Sequence, residues 1–487
     1  MRTFLCVYLG SALVVILLTP LVIRLARRVR AMDRPGVRAV HRKPTPRIGG
    51  VAIFPAAMLL IVLVLFQGNV IGQAFRGLWL QLLTLLGSAT FIFVIGLVDD
   101  LRGLPARLKF LAELAAAGAL CLAGIYINTI AITDTFILRT GSWGCLVTLL
   151  WVVGITNAVN LSDGLDGLAA GVSAVACGVI AIFAIHSSMA VLAVLMLALA
   201  GSLCGFLVFN FNPAKIFMGD CGSLFIGFMI AASSVLCIAK TAALVGLAWP
   251  ALALGIPIFD TLFSMMRRFL DRRSLFAPDR GHFHHRLLDL GLHQRHAVIV
   301  IYVATLVLTG LGLFMLIGND IDSLIVFGCL LFLIVLLFRV VGAVRLRETL
   351  ARLRAISACS RRERQERAAF EHLQLRFRQI EDSAQRWGAI CEAAQRLELA
   401  WVSLRVTGRD GSSSTSIWRR SDTPPKSSRI IIMSLPVEDA WHDSLMEFEI
   451  AVLVNGSLES ASHRAGLFSR LIEEPALIGL RRMPAHA

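Results

Sequence analysis

Residues 143–171 read WGCLVTLLWVVGITNAVNLSDGLDGLAAG, and this stretch decides what kind of fold the chain has. Trp143 to Asn160 is an apolar run of the length a helix needs to cross a hydrocarbon core of about 30 Å. It closes on Asn157, Asn160, Asp163 and Asp166, amide and carboxylate groups at three-residue intervals, with two Asp-Gly pairs that force a turn. In a helix Asn157 and Asn160 share one face, and Gly164 and Gly167 let backbone approach a ligand closely. Polar groups at membrane depth are expensive, so such a cluster at the mouth of an apolar helix points to function.

The pattern repeats on both sides. Apolar runs near 4–23, 49–66, 78–98, 108–126, 143–160, 168–186, 189–209, 222–239, 244–265, 297–317 and 321–342 give eleven expected spans. Of the 487 residues, 57% are apolar and 16% charged, and the mean hydropathy is +0.75, so most of the chain belongs in lipid. The first run is long, has no small-residue cleavage pattern and runs into a basic segment, so it reads as a retained span rather than a secretory leader.

The net charge of +15 suggests nucleic acid until its placement is traced. Arginines and Lys43 crowd the connection between spans 1 and 2, and Arg267, Arg268, Arg272, Arg273, Arg280, Arg286 and Arg295 that between spans 9 and 10. The loops on the other side hold only Arg76, Arg139 and Lys240. The positive-inside rule then puts the N-terminus outside and the side with the arginine-rich connections, together with the C-terminal tail, in the cytoplasm, with no nucleic-acid partner. Ten cysteines are scattered singly without a Cys-x-x-Cys pair, which indicates neither a zinc site nor a disulfide framework.

The expected fold is an all-α polytopic membrane protein of about 11 transmembrane helices, with a cytoplasmic helical linker and a small α/β module. Composition changes after Gly342, which sets a membrane domain at 1–342, a linker at 343–398 and a small domain at 399–487. In the linker, Phe370, Leu373, Phe377, Ile380, Ala384, Trp387, Cys391 and Ala394 form a heptad-like seam. Beyond it, Trp401–Val406, Arg429–Met433 and Met446–Val454 read as strands, with Gly411–Thr415 and Asp422–Ser428 as turns. No catalytic or metal motif occurs in the tail.

Four further polar motifs sit at the cytoplasmic ends of spans. GLVDDLRGLPARLKF (96–110) puts Asp99 and Asp100 where adjacent carboxylates can hold a cation or accept a proton. FNFNPAKIFMGDCGS (209–223) supplies Asn210, Asn212, Lys215 and Asp220 beside Phe217; an aromatic face with amides suits a uracil ring. PDRGHFHHRLLDLG (278–291) sets His282, His284 and His285 between Arg280 and Arg286, a spacing poor for tetrahedral zinc and better for a pyrophosphate. DRPGVRAVHRKPTPRIGG (33–50), with Lys43 and Arg47, adds a cationic wall to the same anion site.

At these residues the chain resembles the polyprenyl-phosphate N-acetylhexosamine-1-phosphate transferase superfamily over about residues 1–342, with five motifs in family order. The resemblance implies Mg²⁺, with Mn²⁺ as a substitute, a UDP-activated sugar, a polyprenyl phosphate acceptor and release of UMP. It implies Asp99, Asp100, Asp163 and Asp220 as catalytic residues, and Asn160 and Asp220 at the metal. Lys43, Arg47, Asn157, Asp166, Asn210, Phe217, Arg280, His282, His284 and His285 are then the substrate-binding set. His-Phe-His-His and KPTPRIGG resemble the GlcNAc-1-phosphate branch more than the muramoyl-pentapeptide branch.

The expected location is a bacterial plasma membrane, with the site and the tail cytoplasmic, membrane lipids as surroundings and a homodimer left open. A transporter should carry its polar groups near the bilayer midplane, whereas these lie at helix ends. A signalling receptor leaves the five membrane motifs unexplained.

Overall fold

A computed structural model of the chain describes residues 1–33, 44–131, 137–241, 250–270, 282–312, 320–340, 374, 383–407, 412–421, 430–438, 445–454 and 458–472. The chain divides into two compact units, Met1–Thr349 and Leu350–Ala487.

The first unit is helical: α1 (Arg2–Arg28), α2 (Gly50–Leu65), α3 (Val70–Gly77), α4 (Trp79–Arg102), α5 (Ala106–Leu122), α6 (Gly144–Ser162), α7 (Leu168–His186), α8 (Ala190–Asn210), α9 (Gly219–Thr241), α10 (Gly255–Leu270), α11 (Phe283–Asp289), α12 (Gln294–Gly312) and α13 (Asp320–Val340). Among the described residues, seven of these, α1, α4, α6, α7, α8, α9 and α12, are long and apolar enough to cross a membrane. α2 and α13 are shorter apolar helices, while α5 and α10 have 17 and 16 residues. The chain is therefore a mostly helical, multi-pass membrane protein. Two short strands, β1 (Met32–Asp33) and β2 (Thr45–Pro46), pair antiparallel beside the end of α1, and β3 (Thr129–Ala131) pairs with β4 (Ile137–Arg139) between α5 and α6.

The helix faces are inverted relative to a water-soluble bundle. On α1, Leu5, Leu9, Leu13, Leu17, Leu21 and Leu25 form an exposed stripe, while Val7, Ser11, Val15, Thr19, Val22 and Ala26 are buried. Lipid is as apolar as leucine, so the large residues go outward and the small ones let helices approach. Gly201 and Gly205 of α8 show why: a Cβ on Gly201 would lie 2.1 Å from the Tyr8 carbonyl oxygen, and one on Gly205 2.5 Å from that of Ala12. α9 is the central helix, with 89% of its apolar window inside the protein, and it packs on α2, α4 and α6.

The second unit holds α14 (Ser383–Arg396), β5 (Leu399–Thr407), β6 (Ser413–Arg419), β7 (Ile430–Glu438), β8 (Leu445–Leu453) and α15 (Leu458–Ile472). The strands form an antiparallel sheet in the order β6-β5-β8-β7. Alternate residues Val402, Leu404, Phe448, Ile450 and Val452 turn inward to Ile390, Ala393, Phe468 and Leu471 of the two helices. The serine-rich stretch expected to end in a turn at Thr415 instead enters β6 at Ser413. Pairing of Ser413 through Arg419 with β5 overrides the weak strand preference of serine there. Of the heptad-like seam, Phe370, Leu373, Phe377 and Ile380 lie outside the described residues, while Trp387, Cys391 and Ala394 fall on α14.

Candidate active site

The polar ends of α4, α6 and α9 meet at one end of the bundle because α4 and α6 both pack on α9. At Gly96 of α4 a Cβ would come within 2.6 Å of the Asp220 carbonyl oxygen, so only glycine lets α4 lie this close to the start of α9. That contact delivers Asp100 to the first turn of α9. Its carboxylate accepts the backbone N–H groups of Asp220 and Cys221, at 3.0 and 2.9 Å, and the Arg47 guanidinium, at 3.1 and 3.3 Å. A carboxylate there satisfies orphan N–H groups and complements the positive end of the helix. Arg47 is held in turn by main-chain pairing: Gly49 and Gly50 donate to the carbonyls of Phe217 and Met218, and Phe217 donates to that of Pro46.

Asp220 is gripped from two sides. Its Oδ1 accepts from Asn160 Nδ2 at 3.1 Å, and its Oδ2 pairs with Lys109 Nζ at 2.7 Å. Lys109, in the first turn of α5, also pairs with Asp99 Oδ2 at 2.8 Å, while Asp99 Oδ1 accepts the Leu104 N–H. Asn160 donates to Ser223 Oγ at 2.8 Å as well, tying α6 to α9.

Of these groups Arg47, Asp100 and Asp220 border a cavity of roughly 390 Å³, whose walls also include Asp163, Asp166, Asn210, Phe217 and His285. Asp166 is fixed by Asn212 Nδ2 at 2.9 Å and the Ala214 N–H at 3.0 Å. Asn210 donates to the Ile216 carbonyl at 2.9 Å, and its buried Oδ1 has no partner among the described residues. Burial, followed by the neighbouring charges of Asp220, Asp100 and Asp166, pushes the Asp163 carboxyl up to about 8.

The other expected residues fall elsewhere. Asn157 points away from the cavity, donating to Glu113 of α5 and to the Val153 carbonyl. His282 and His284 face Asp260 of α10: His282 Nδ1 lies 3.1 Å from Asp260 Oδ2, and the Phe283 N–H reaches Oδ1 at 2.7 Å. His284 is buried against Gly164, and burial pushes it down to about 3, so it is a neutral imidazole rather than a cation. Only His285 of the three lines the cavity. Lys43 and Arg280 lie outside the described residues.

Lys109, Glu113, Asp260 and Gln294 were not singled out from the sequence. Lys109 stands within the quoted stretch that follows Asp99 and Asp100, and Glu113 and Asp260 are charges inside apolar runs, a signal in itself. Gln294, which lines the cavity and accepts from Asn212 at 3.0 Å, carries no such signal.

The carboxylate-rich wall suits a hard divalent cation. Among the described residues no three His, Cys, Asp or Glu side chains converge as a ready-made metal cage. Mg²⁺ characteristically takes only one or two carboxylates and completes its shell with water and substrate phosphates. Burial is the larger cause of the raised Asp163 carboxyl, and the acid groups crowded beside it add to the shift, as in a wall short of positive charge.

A family model described as glycosyl transferase family 4 matches residues 82–238, which hold α4 through most of α9. The chain is 40% identical over 301 residues to a protein of Bacillus subtilis (strain 168) described as a probable undecaprenyl-phosphate N-acetylglucosaminyl 1-phosphate transferase, covering 61% of this chain and 80% of that relative. The chain belongs to glycosyl transferase family 4. Within the family it is also 36% identical over 328 residues to the decaprenyl-phosphate N-acetylglucosaminephosphotransferase of Mycobacterium leprae (strain TN), covering 62% of this chain and 81% of that one. A phospho-N-acetylmuramoyl-pentapeptide-transferase of Desulforudis audaxviator (strain MP104C) is 32% identical over 330 residues, covering 62% and 94%.

Proposed function

We propose that this protein transfers GlcNAc 1-phosphate from UDP-GlcNAc to a polyprenyl phosphate, releasing UMP and leaving a lipid-linked sugar diphosphate for envelope polysaccharide synthesis. The observation that carries the reading is the cavity walled by Asp100, Asp163, Asp166 and Asp220, with Arg47 in the same wall, at the end of a bundle of membrane-length helices. A lipid-borne phosphate can reach such a site from the bilayer while a nucleotide sugar enters from water.

The reaction brings two anions together. An oxygen of the acceptor phosphate attacks the sugar-bearing phosphorus of the donor, the new P–O bond forms, and the electron pair of the bridging P–O bond leaves with UMP. Asp220, oriented by Asn160 and Lys109, is the proposed ligand of a divalent cation, Mg²⁺ with Mn²⁺ as a substitute. When bound, the cation supplies charge neutralisation at the diphosphate. Arg47 holds positive charge in the same wall, beside Asp100, which fixes both Arg47 and the first turn of α9. The unpartnered Oδ1 of Asn210 suits a donor such as the uracil N3–H, with Phe217 beside it.

Eleven crossings, a cytoplasmic site and a cytoplasmic tail complete the reading, supported by the arginine-rich connections on the site's side of the bundle. The test is to incubate the purified protein with undecaprenyl phosphate and UDP-GlcNAc, UDP-GalNAc or UDP-MurNAc-pentapeptide and to measure UMP. UMP from UDP-GlcNAc is expected. UMP from the pentapeptide donor alone would move the chain to the muramoyl branch, and none from any donor would sink the proposal.

A further inference from the structure

The cysteines look scattered along the sequence, yet the helices bring two of them together. Cys121 stands in the last turn of α5 and Cys145 in the first turn of α6. The Cys121 Sγ lies 3.9 Å from the Cys145 carbonyl oxygen, so the backbone of one cysteine is within reach of the thiol of the other. Both are free thiols and both are partly exposed. The described ends of the connection between them are strapped down: the Ile127 N–H donates to Thr148 Oγ1 at 2.9 Å, Thr140 Oγ1 donates to the Ile127 carbonyl at 2.6 Å, and the Ile125 N–H donates to the Leu120 carbonyl at 2.9 Å. Neither helix end is a fraying terminus.

The pair is far from the carboxylate site. Cys121 follows Lys109 by twelve residues of α5, about 18 Å along the helix, and Cys145 precedes Asn160 by fifteen residues of α6, about 22 Å. The two thiols therefore sit at the opposite end of the bundle. Under the orientation proposed above, on which this placement rests, that end faces outward, where disulfides form and persist.

We infer that Cys121 and Cys145 are an oxidisable dithiol that closes into an intramolecular disulfide on the outer face, clamping α5 to α6. The oxidant is a disulfide-bearing thiol oxidant of that compartment. One cysteine gives up its proton to water and attacks the oxidant's disulfide, forming a mixed disulfide. The second, likewise deprotonated, displaces the oxidant, which leaves as a dithiol carrying the two electrons. The clamp joins the two helices whose other ends carry Lys109 and Asn160, but it touches no group of the site.

The test uses the full chain. Purified protein is treated with oxidised glutathione or with dithiothreitol, alkylated, digested and mapped by mass spectrometry. The expected result is a linked peptide pair carrying Cys121 and Cys145 that dithiothreitol abolishes, is missing in Cys121→Ser and Cys145→Ser, and raises the unfolding temperature of the wild type alone. Full alkylation of both thiols after oxidation overturns the pair. Sealed vesicles of known sidedness test the placement separately. Linkage by external oxidised glutathione in right-side-out vesicles supports it, and linkage only in inside-out vesicles overturns the outward placement together with the proposed orientation.

Discussion

Asp99 has an ammonium group on one oxygen and a backbone N–H on the other, an arrangement for holding position rather than for collecting protons. A phosphate monoester has its second pKa at about 6, so the acceptor is mostly a dianion at neutral pH and no strong base is required. Asp99→Asn should therefore stay impaired when the pH is raised from about 6.5 to about 9, because ionising the phosphate does not restore the lost ion pair to Lys109. A pH–rate profile measures this, and recovery of most of the wild-type rate at high pH would make Asp99 the general base. Asp163 gives a second pH signature. With its carboxyl at about 8 in the fold against about 3.9 in an unfolded chain, the folded state keeps a proton that the unfolded state has lost, so cation-free stability should fall as pH rises from about 4 to about 8. A cation entering this wall favours the ionised form, and at pH 7 its binding should release up to about one proton, fading above about pH 9. Calorimetry in two buffers of different ionisation heat measures the release; none at pH 7 would contradict the placement of the cation near Asp163.

Asp100 and Asp220 are neighbours in space, yet they act at different levels. Asp100 holds the N-terminus of α9 to the end of α4, and Asp220 faces the cavity from that same turn. Asp100→Asn turns one acceptor oxygen into an amide facing backbone N–H or Arg47, which should cost about 1–3 kcal/mol of stability along with activity. Asp220→Asn should remove at least a hundredfold of the rate, on the order of 3 kcal/mol in the barrier, with the unfolding temperature close to wild type. Paired thermal-unfolding and rate measurements separate the two roles, and equal losses of stability in both variants would merge them. The five motifs were legible because polar groups interrupt apolar runs. What each group faces was not. Lys109 matters only because α5 packs on α4 and α6 and so brings it to Asp99 and Asp220, and the first two histidines of the histidine motif face Asp260 because the start of α11 is hydrogen-bonded to α10. A linear pattern records that a group is polar, and packing decides its partner.

The two compact units divide the work of the chain unevenly. All the cavity-lining residues belong to Met1–Thr349, and the sheet and two helices of Leu350–Ala487 have their own core. A chain ending at Thr349 should keep the transferase activity when inserted in membranes, and complete loss in a protein that still inserts would show that the second unit completes the site. The helical class and the change of composition after Gly342 follow from hydropathy alone. The sheet was less legible, because β6 is a polar edge strand held by pairing to β5 rather than by a buried face of its own. The central claim is that a sugar phosphate, not a bare sugar, changes hands. UDP-GlcNAc labelled in the phosphate attached to the sugar, incubated with undecaprenyl phosphate and Mg²⁺, tests it most directly. The account predicts that the label moves into the lipid fraction as UMP appears in equal amount, and that Asp220→Asn abolishes both. Label left in water as UDP while the sugar reaches the lipid would contradict it.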